Sequence, residues 1–204
     1  MYNKVIIFFL INFCMGCQGN SQDFILYQKD KIVPQVFVTD VAFHPAALDF
    51  CNLFNVATGI RPQIVASRPS DGNVVVIIGP SAKVTKTSPG SFSIAHEGNT
   101  ISITGTTVLN TIFGVRHFFS GYIGIGQFDN KEVLVETLKV PVGLRYIQEF
   151  AFEYREPYFP DNQDEHFRLW NSTHTIDEIW GLWGHNIHKF IVVNDKMLAM
   201  VNGK

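Results

Sequence analysis

The residues with the most chemistry stand together in Phe150-Ala151-Phe152-Glu153-Tyr154-Arg155-Glu156-Pro157-Tyr158-Phe159. An apolar, aromatic run leads into an arginine and a glutamate. Pro157 stops it, because proline cannot donate to a β ladder. Read as a strand, the run presents Arg155 and Glu156 at its C-terminal end, where α/β barrels assemble their active faces. A guanidinium offers five N–H donors in a planar fork, which suits vicinal hydroxyls or a uronic carboxylate. The plainer alternative is an Arg–Glu pair that only holds the strand end together. Further along, Gly181-Leu182-Trp183-Gly184-His185 reads as a loop. Trp183 can stack on a sugar ring and the His185 imidazole can hydrogen-bond to it. A packed loop histidine is the competing reading.

Other constellations carry less. Glycoside hydrolysis usually needs two carboxyls, roughly 5 to 9.5 Å apart. Glu153 and Glu156 are three positions apart along a strand and point to opposite faces. The acids from Asp161 to Glu165 read as a solvated helix start, where negative charge is favourable. No catalytic pair is assigned. His185 and His188 have a spacing that places two imidazoles together on a helix, but zinc needs a third ligand, and Gly184 and Asn186 argue for a loop. No metal site is assigned. Trp170, Trp180 and Trp183 form either a sugar-stacking platform or part of a core. Gly121 to Gly126 lacks the spacing and the lysine of a phosphate loop. Ser120 and Ser172 stand in no nucleophile motif. No cofactor is implied.

These side chains need elements to hold them. Gln35 to Val38 reads as a strand. Ala46, Ala47, Phe50, Leu53, Phe54 and Ala57 recur at helical spacing over Pro45 to Thr58, and Gly59 ends that helix. Gln63 to Ala66 is a second strand. Asn73 to Gly79 is a continuous β-branched run, the pattern of a central strand buried on both faces. Ser91 to Ala95 and Thr100 to Gly105 alternate around Glu97-Gly98-Asn99 and form a hairpin. Asn110 to Phe119 is a second helix, and Glu132 to Lys139 a further strand. The order implies one mixed sheet with two helices on one face, an α+β two-layer sandwich. It occupies residues 24–140, with Pro141 closing it. Asp164 to Asn171 reads as a short helix and Asp195 to Val201 as another. Asn202-Gly203 is a turn signal with no strand after it.

The chain has 204 residues, of which 46% are hydrophobic and 17% charged, enough for one well-buried domain plus a remnant. Eighteen Phe imply a large aromatic core or an aromatic-rich site. The net charge of −2 leaves no basic stripe to neutralise phosphates, so nucleic acid is not an expected partner. The N-terminus is a targeting segment. Val5 to Phe13 after Lys4 is too short to span a bilayer and suits a signal h-region. Gly16-Cys17 resembles the lipobox of bacterial lipoproteins, with Cys14 departing from the usual leucine. An ordinary secretion signal is the alternative. On the lipoprotein reading, 1–17 is the signal, Cys17 is lipidated, and 18–23 is a tether. The protein is then exported and anchored to a bacterial membrane. Gln18-Gly19-Asn20 lacks the acids that often mark surface export, which favours the periplasmic face, with the cell surface as the alternative. Cys51 sits in the first helix pattern and reads as packing, and no disulfide framework remains.

Three stretches carry a family resemblance: Val76-Ile77-Ile78-Gly79-Pro80-Ser81, Ile101-Ser102-Ile103-Thr104-Gly105-Thr106 and Asn110-Thr111-Ile112-Phe113-Gly114-Val115. They resemble the non-catalytic N-terminal domain of family-67 α-glucuronidases and the second domain of β-hexosaminidases. Phe152 to Glu156, Trp183-Gly184-His185-Asn186 and Ala199 to Lys204 resemble the barrel opening in a group of bacterial glycosidase-like lipoproteins. The resemblance implies that 24–140 is an accessory domain and that 146–204 is the incomplete start of a (β/α)8 barrel. It implies a carbohydrate partner and a sugar-gripping role for Arg155. The catalytic carboxylates of such relatives lie on later strands and do not carry over. A non-catalytic carbohydrate-binding or scaffold lipoprotein is the alternative.

Overall fold

The β-branched run at 73–79 owes its composition to its place in the sheet. Branched side chains pack well on a pleated surface with neighbours on both sides. The computed structural model describes residues 22–70, 72–81, 90–127, 134–152 and 154–175. Its strands are β1 (Asp23–Gln28), β2 (Gln35–Val38), β3 (Ile64–Val65), β4 (Val75–Pro80), β5 (Phe92–Glu97), β6 (Thr100–Gly105), β7 (Thr137–Pro141) and β8 (Arg145–Gln148). Its helices are α1 (His44–Thr58), α2 (Val108–Phe118) and α3 (Glu165–Asn171). Six strands form one mixed sheet in the order β3-β2-β4-β6-β5-β8. β4 runs parallel to both β2 and β6, while β5 is antiparallel to β6 and β8. Val75, Val76 and Ile78 are buried accordingly.

The fold is α+β, a mixed sheet layered with helices. Gly59 caps α1 in the left-handed conformation, with φ of 73°, as its place after the apolar pattern predicts. All six α1 positions expected to face the core are buried. Thr107 caps α2 by accepting from the backbone N–H of Asn110 at 3.1 Å. α2 packs on β4, β5 and β6 and against α1. Phe50 meets Phe54, Phe118 and Phe119 at ring separations of 5.2 to 6.2 Å. Most of the buried Phe therefore form core, although Phe152 and Phe159 stay exposed. Cys51 is buried on the inner face of α1, and desolvation raises its thiol to about 11 against a weaker opposing pull from Arg61.

Three expectations change. The strand expected over 132–139 does not join the main sheet: β7 pairs with β1 in a separate two-stranded ribbon. β1 escapes the sequence pattern because its register shifts between Ile25 and Tyr27. That bulge lets the consecutive residues Leu26 and Tyr27 both be buried, which breaks period-two alternation. Tyr27 then packs edge-on against Phe54, 5.5 Å away, and lays the ribbon over α1. Second, Pro141 does not close the sheet domain. The chain turns at Gly143, with φ of 70°, and returns as β8 along the outer edge of β5. Residues 146–148, expected at the start of a barrel, lie in this sheet. Third, the described residues from 150 to 157 contain no strand. Their aromatic and charged side chains are used one by one, as the site shows. The segments expected as a loop at 181–185 and a helix at 195–201 lie outside the described residues.

α1 and α2 are joined by a largely buried ion pair. Arg116 donates from Nε and Nη2 to the two carboxylate oxygens of Asp49 at 2.8 and 2.7 Å. Its guanidinium also lies 4.9 Å from the Trp170 ring centre of α3. The pair side chains are only 10% and 16% exposed, so removing one partner strands a desolvated charge. Asp49→Ala is expected to lower stability by about 3 kcal/mol in urea unfolding. A loss below about 1 kcal/mol would instead mark the pair as one of surface type.

Candidate functional site

Arg155 is the centre of a small polar knot on the core. Phe150 follows β8 and packs on Phe92 of β5, with ring centres 6.1 Å apart. The Arg155 guanidinium lies over the Phe150 ring at 3.6 Å and over Phe113 of α2 at 5.8 Å. Its Nε donates to the Ser172 carbonyl at 2.9 Å, and Nη1 to the Phe152 carbonyl at 2.7 Å. The second bond joins the Arg155 side chain to the backbone of a residue three positions earlier. Burial pulls the Arg155 guanidinium below its ordinary range.

The knot continues through His174. The Arg155 backbone N–H donates to His174 Nδ1 at 3.2 Å, and the His174 N–H returns to the Arg155 carbonyl at 2.8 Å. The His174 ring meets Phe113 edge-on at 5.7 Å. Asn162, fully buried, donates to the His174 carbonyl at 2.8 Å and accepts from Thr173 Oγ1 at 2.6 Å. Arg168 Nη1 donates to the carbonyls of Asn162 and Gln163 at 2.9 and 2.8 Å. α3 itself is capped by Asp164, which accepts from the Phe167 N–H at 3.0 Å. The helix expected over 164–171 is thus present, and the knot clamps it to α2.

Of the sequence candidates, Arg155 and its half-buried neighbour Glu156 are placed here. Glu153, Trp180, Trp183, His185, His188 and Cys17 lie outside the described residues. Trp170 faces the core beside Arg116, and its Nε1 donates to His166 Nε2 at 3.1 Å. The chemistry on view at Arg155 is positioning: cationic N–H groups hold two backbone segments together over an aromatic floor. His174 and Asn162 are not among the sequence candidates. The only local signal was the short polar string Ser172-Thr173-His174-Thr175 after an amphipathic helix. A second aromatic group adjoins it. His117 of α2 stacks on Tyr146 of β8 at 4.3 Å and 17°, and burial pulls its imidazole down. Burial, and then Tyr146, push the Tyr122 phenol up.

No family profile and no curated protein matches the chain by sequence. Among solved structures, it is similar to the Flavobacterium johnsoniae chitobiase FjGH20 at 16% identity, with a TM-score of 0.41 over 66% of this chain and 20% of that one. It is also similar to CpGH84D at 11% identity, with a TM-score of 0.38 over 60% of this chain and 21% of that one. The chain thus spans about a fifth of the length of either structure.

The knot makes Arg155→Lys a sharp substitution, because an ammonium cannot reach two carbonyls in one plane. The loss of one charge-assisted bond, about 1.5 kcal/mol, corresponds to roughly tenfold easier local opening. Hydrogen exchange at the Thr173 and His174 amides is expected to quicken by about that factor. The amides of β4 and β6 should keep their protection. Unchanged exchange at Thr173 and His174 would remove Arg155 from this role.

Proposed function

We propose that the chain is the accessory α+β domain of an exported glycoside-hydrolase-like protein, followed by the opening of its catalytic barrel. One observation carries this reading. The three stretches that resemble family-67 α-glucuronidases and β-hexosaminidase second domains are one packed unit. They fall on β4, β6 and α2. β4 and β6 pair in parallel from Val75 with Thr100 to Pro80 with Gly105, and α2 lies on both. A resemblance confined to contiguous tertiary neighbours is the form a shared domain takes. On this reading 24–140, with β8 added at the sheet edge, is the accessory domain, and the chain after residue 148 leads toward the barrel. Carbohydrate is the partner, with Arg155, Glu156, Trp183 and His185 as its candidate contacts.

A second reading, a non-catalytic carbohydrate-binding or scaffold lipoprotein, is favoured by the way Arg155 is engaged. Its Nε and Nη1 are directed at backbone carbonyls. Both readings export the protein and anchor it through Cys17, with residues 18–23 as tether and the domain facing the periplasm.

A parallel barrel closes only with all its strands, and its active face is built from the loops after several of them. A single carboxylate cannot act as both acid and base at the required separation. The chain alone is therefore expected to show no turnover of aryl glucuronides, hexosaminides or glucosides above a buffer blank. Turnover that disappears in Glu156→Gln would make the chain an enzyme in its own right and overturn the accessory reading. Separately, Cys17→Ala is expected to move the protein from the membrane to the soluble periplasmic fraction. Identical partitioning of both forms would sink the lipid anchor.

A further inference from the structure

The six-stranded sheet has two edges. β3 ends one with only two residues, and β8 leaves the other open among the described residues. β8 is held in place from the inner side. In the turn before it, Gly143 donates its backbone N–H to His96 Nδ1 at 3.0 Å. Within it, Tyr146 stacks on His117 at 4.3 Å, and after it Phe150 packs on Phe92. The strand is a fixed rim of the sheet.

The ladder decides which backbone groups this rim offers. His96 donates its N–H to the Leu144 carbonyl at 2.8 Å, one step beyond the pair Ala95–Arg145. Hydrogen-bonded and non-bonded pairs alternate along antiparallel strands. Tyr146 and Gln148 therefore turn their N–H and C=O groups toward β5. Arg145 and Ile147 turn theirs toward the open edge, and Glu149 follows at the same spacing. Side chains two apart share a face of the sheet. Arg145, Ile147 and Glu149 thus lie opposite Tyr146, which points to α2. All three are exposed, Ile147 to 62%. Arg145 and Glu149 form no ion pair among the described residues.

This row is its own complement. A two-fold axis through Ile147 sets Ile147 against Ile147, and Arg145 of each copy against Glu149 of the other. Those are the residues whose backbone groups face outward, so the same axis satisfies them. In-line parallel pairing instead sets Arg145 against Arg145. An antiparallel shift by two residues sets a charge against Ile147. Charges on an edge strand ordinarily deter pairing. Here the deterrent becomes an attraction in one alignment, because opposite charges directly across a ladder are favourable and like charges are not. Neither Gly nor Pro interrupts 145–149.

We infer that β8 is the docking edge for a second copy of this chain, which pairs antiparallel about Ile147 and joins two six-stranded sheets edge to edge. Such an interface uses the same patch on both copies and closes at two. It is small, below the roughly 1,200 Å² of stable complexes, so the dissociation constant falls between about 10 µM and about 1 mM. It needs no barrel and no sugar, and stands or falls apart from the proposed function.

Sedimentation equilibrium of the full chain should show a reversible monomer–dimer equilibrium in that concentration range. Hydrogen exchange identifies the edge. The Arg145 and Ile147 amides should exchange freely in dilute solution and about tenfold more slowly where the dimer predominates. The Tyr146 and Gln148 amides, bonded to β5, should not respond to concentration. Arg145→Glu places like charges opposite each other twice across the axis and should weaken association at least about tenfold. Adding Glu149→Arg to it restores opposite charges and should return the affinity to within about threefold. Ile147→Lys should weaken association as Arg145→Glu does. These side chains are exposed, so the unfolding midpoint of the dilute protein should stay in place. A chain that remains monomeric at about 1 mM, or assembles beyond a dimer, overturns the inference. So does a dimer whose Arg145 and Ile147 amides keep their dilute exchange rates, and so does a double variant as weak as Arg145→Glu alone.

Discussion

Helix α2 can rest on the sheet only where the chain carries no side chain. A Cβ at Gly105, the last residue of β6, would lie 2.6 Å from the backbone N of Thr111. One at Gly114, in the middle of α2, would lie 3.1 Å from the Phe92 ring and 3.2 Å from Ile103. Backbone cannot yield as a flexible side chain can, so this close approach is a condition of the fold. With α2 seated, its residues reach in several directions. Phe113 meets His174 and lies under Arg155. Arg116 reaches Asp49 and Trp170. His117 stacks on Tyr146, and Phe118 packs on Phe50. The core, the edge strand β8 and the knot after it all take their positions from one helix.

Arg116, buried, and Arg155, half-buried, are held differently. Arg116 is neutralised by a carboxylate brought from α1, 67 residues away in sequence. That arrangement ties two helices and restricts their relative sliding, because a bidentate pair has one good geometry. Arg155 has an aromatic face and two carbonyls on its cationic fork. Burial holds the Arg155 guanidinium below its ordinary range. The knot is thus a clamp between the sheet and the chain beyond it.

The domain has two polar regions of unlike character at opposite ends of its β5–β6 hairpin. One is a closed knot in which cationic donors meet backbone acceptors. The other is an open cleft, beneath whose wall a buried imidazole nitrogen has no hydrogen-bond partner among the described residues. Fold alone does not tell one use from another. A knot whose donors grip backbone stabilises structure.

Much of the architecture was legible in the residues. The helical spacing from Ala46 to Ala57, the left-handed stop at Gly59, the β-branched run of β4 and the alternation of β5 and β6 are local signals. Each survives folding because it records which face of one element is dry. β1 was not legible, since its bulge hides the alternation that would reveal it. β8 was not legible, since none of its four residues is buried and its aliphatic side chain, Ile147, faces solvent at the sheet edge. The run around Arg155 had strand composition, yet its fate was decided by partners from Ser172 and His174 that no local period reports. His96 stands just past the alternating stretch from Ser91 to Ala95, which reports nothing of its partners. Its missing acceptor depends on Gly143, 47 residues away, and on Phe24 of the separate ribbon. The sequence by itself determined which stretches were helix and central strand, and where two glycines let them touch. The tertiary structure alone decided which buried polar atoms find partners, because hydrogen bonds are short and directional and their two ends come from segments far apart in the chain.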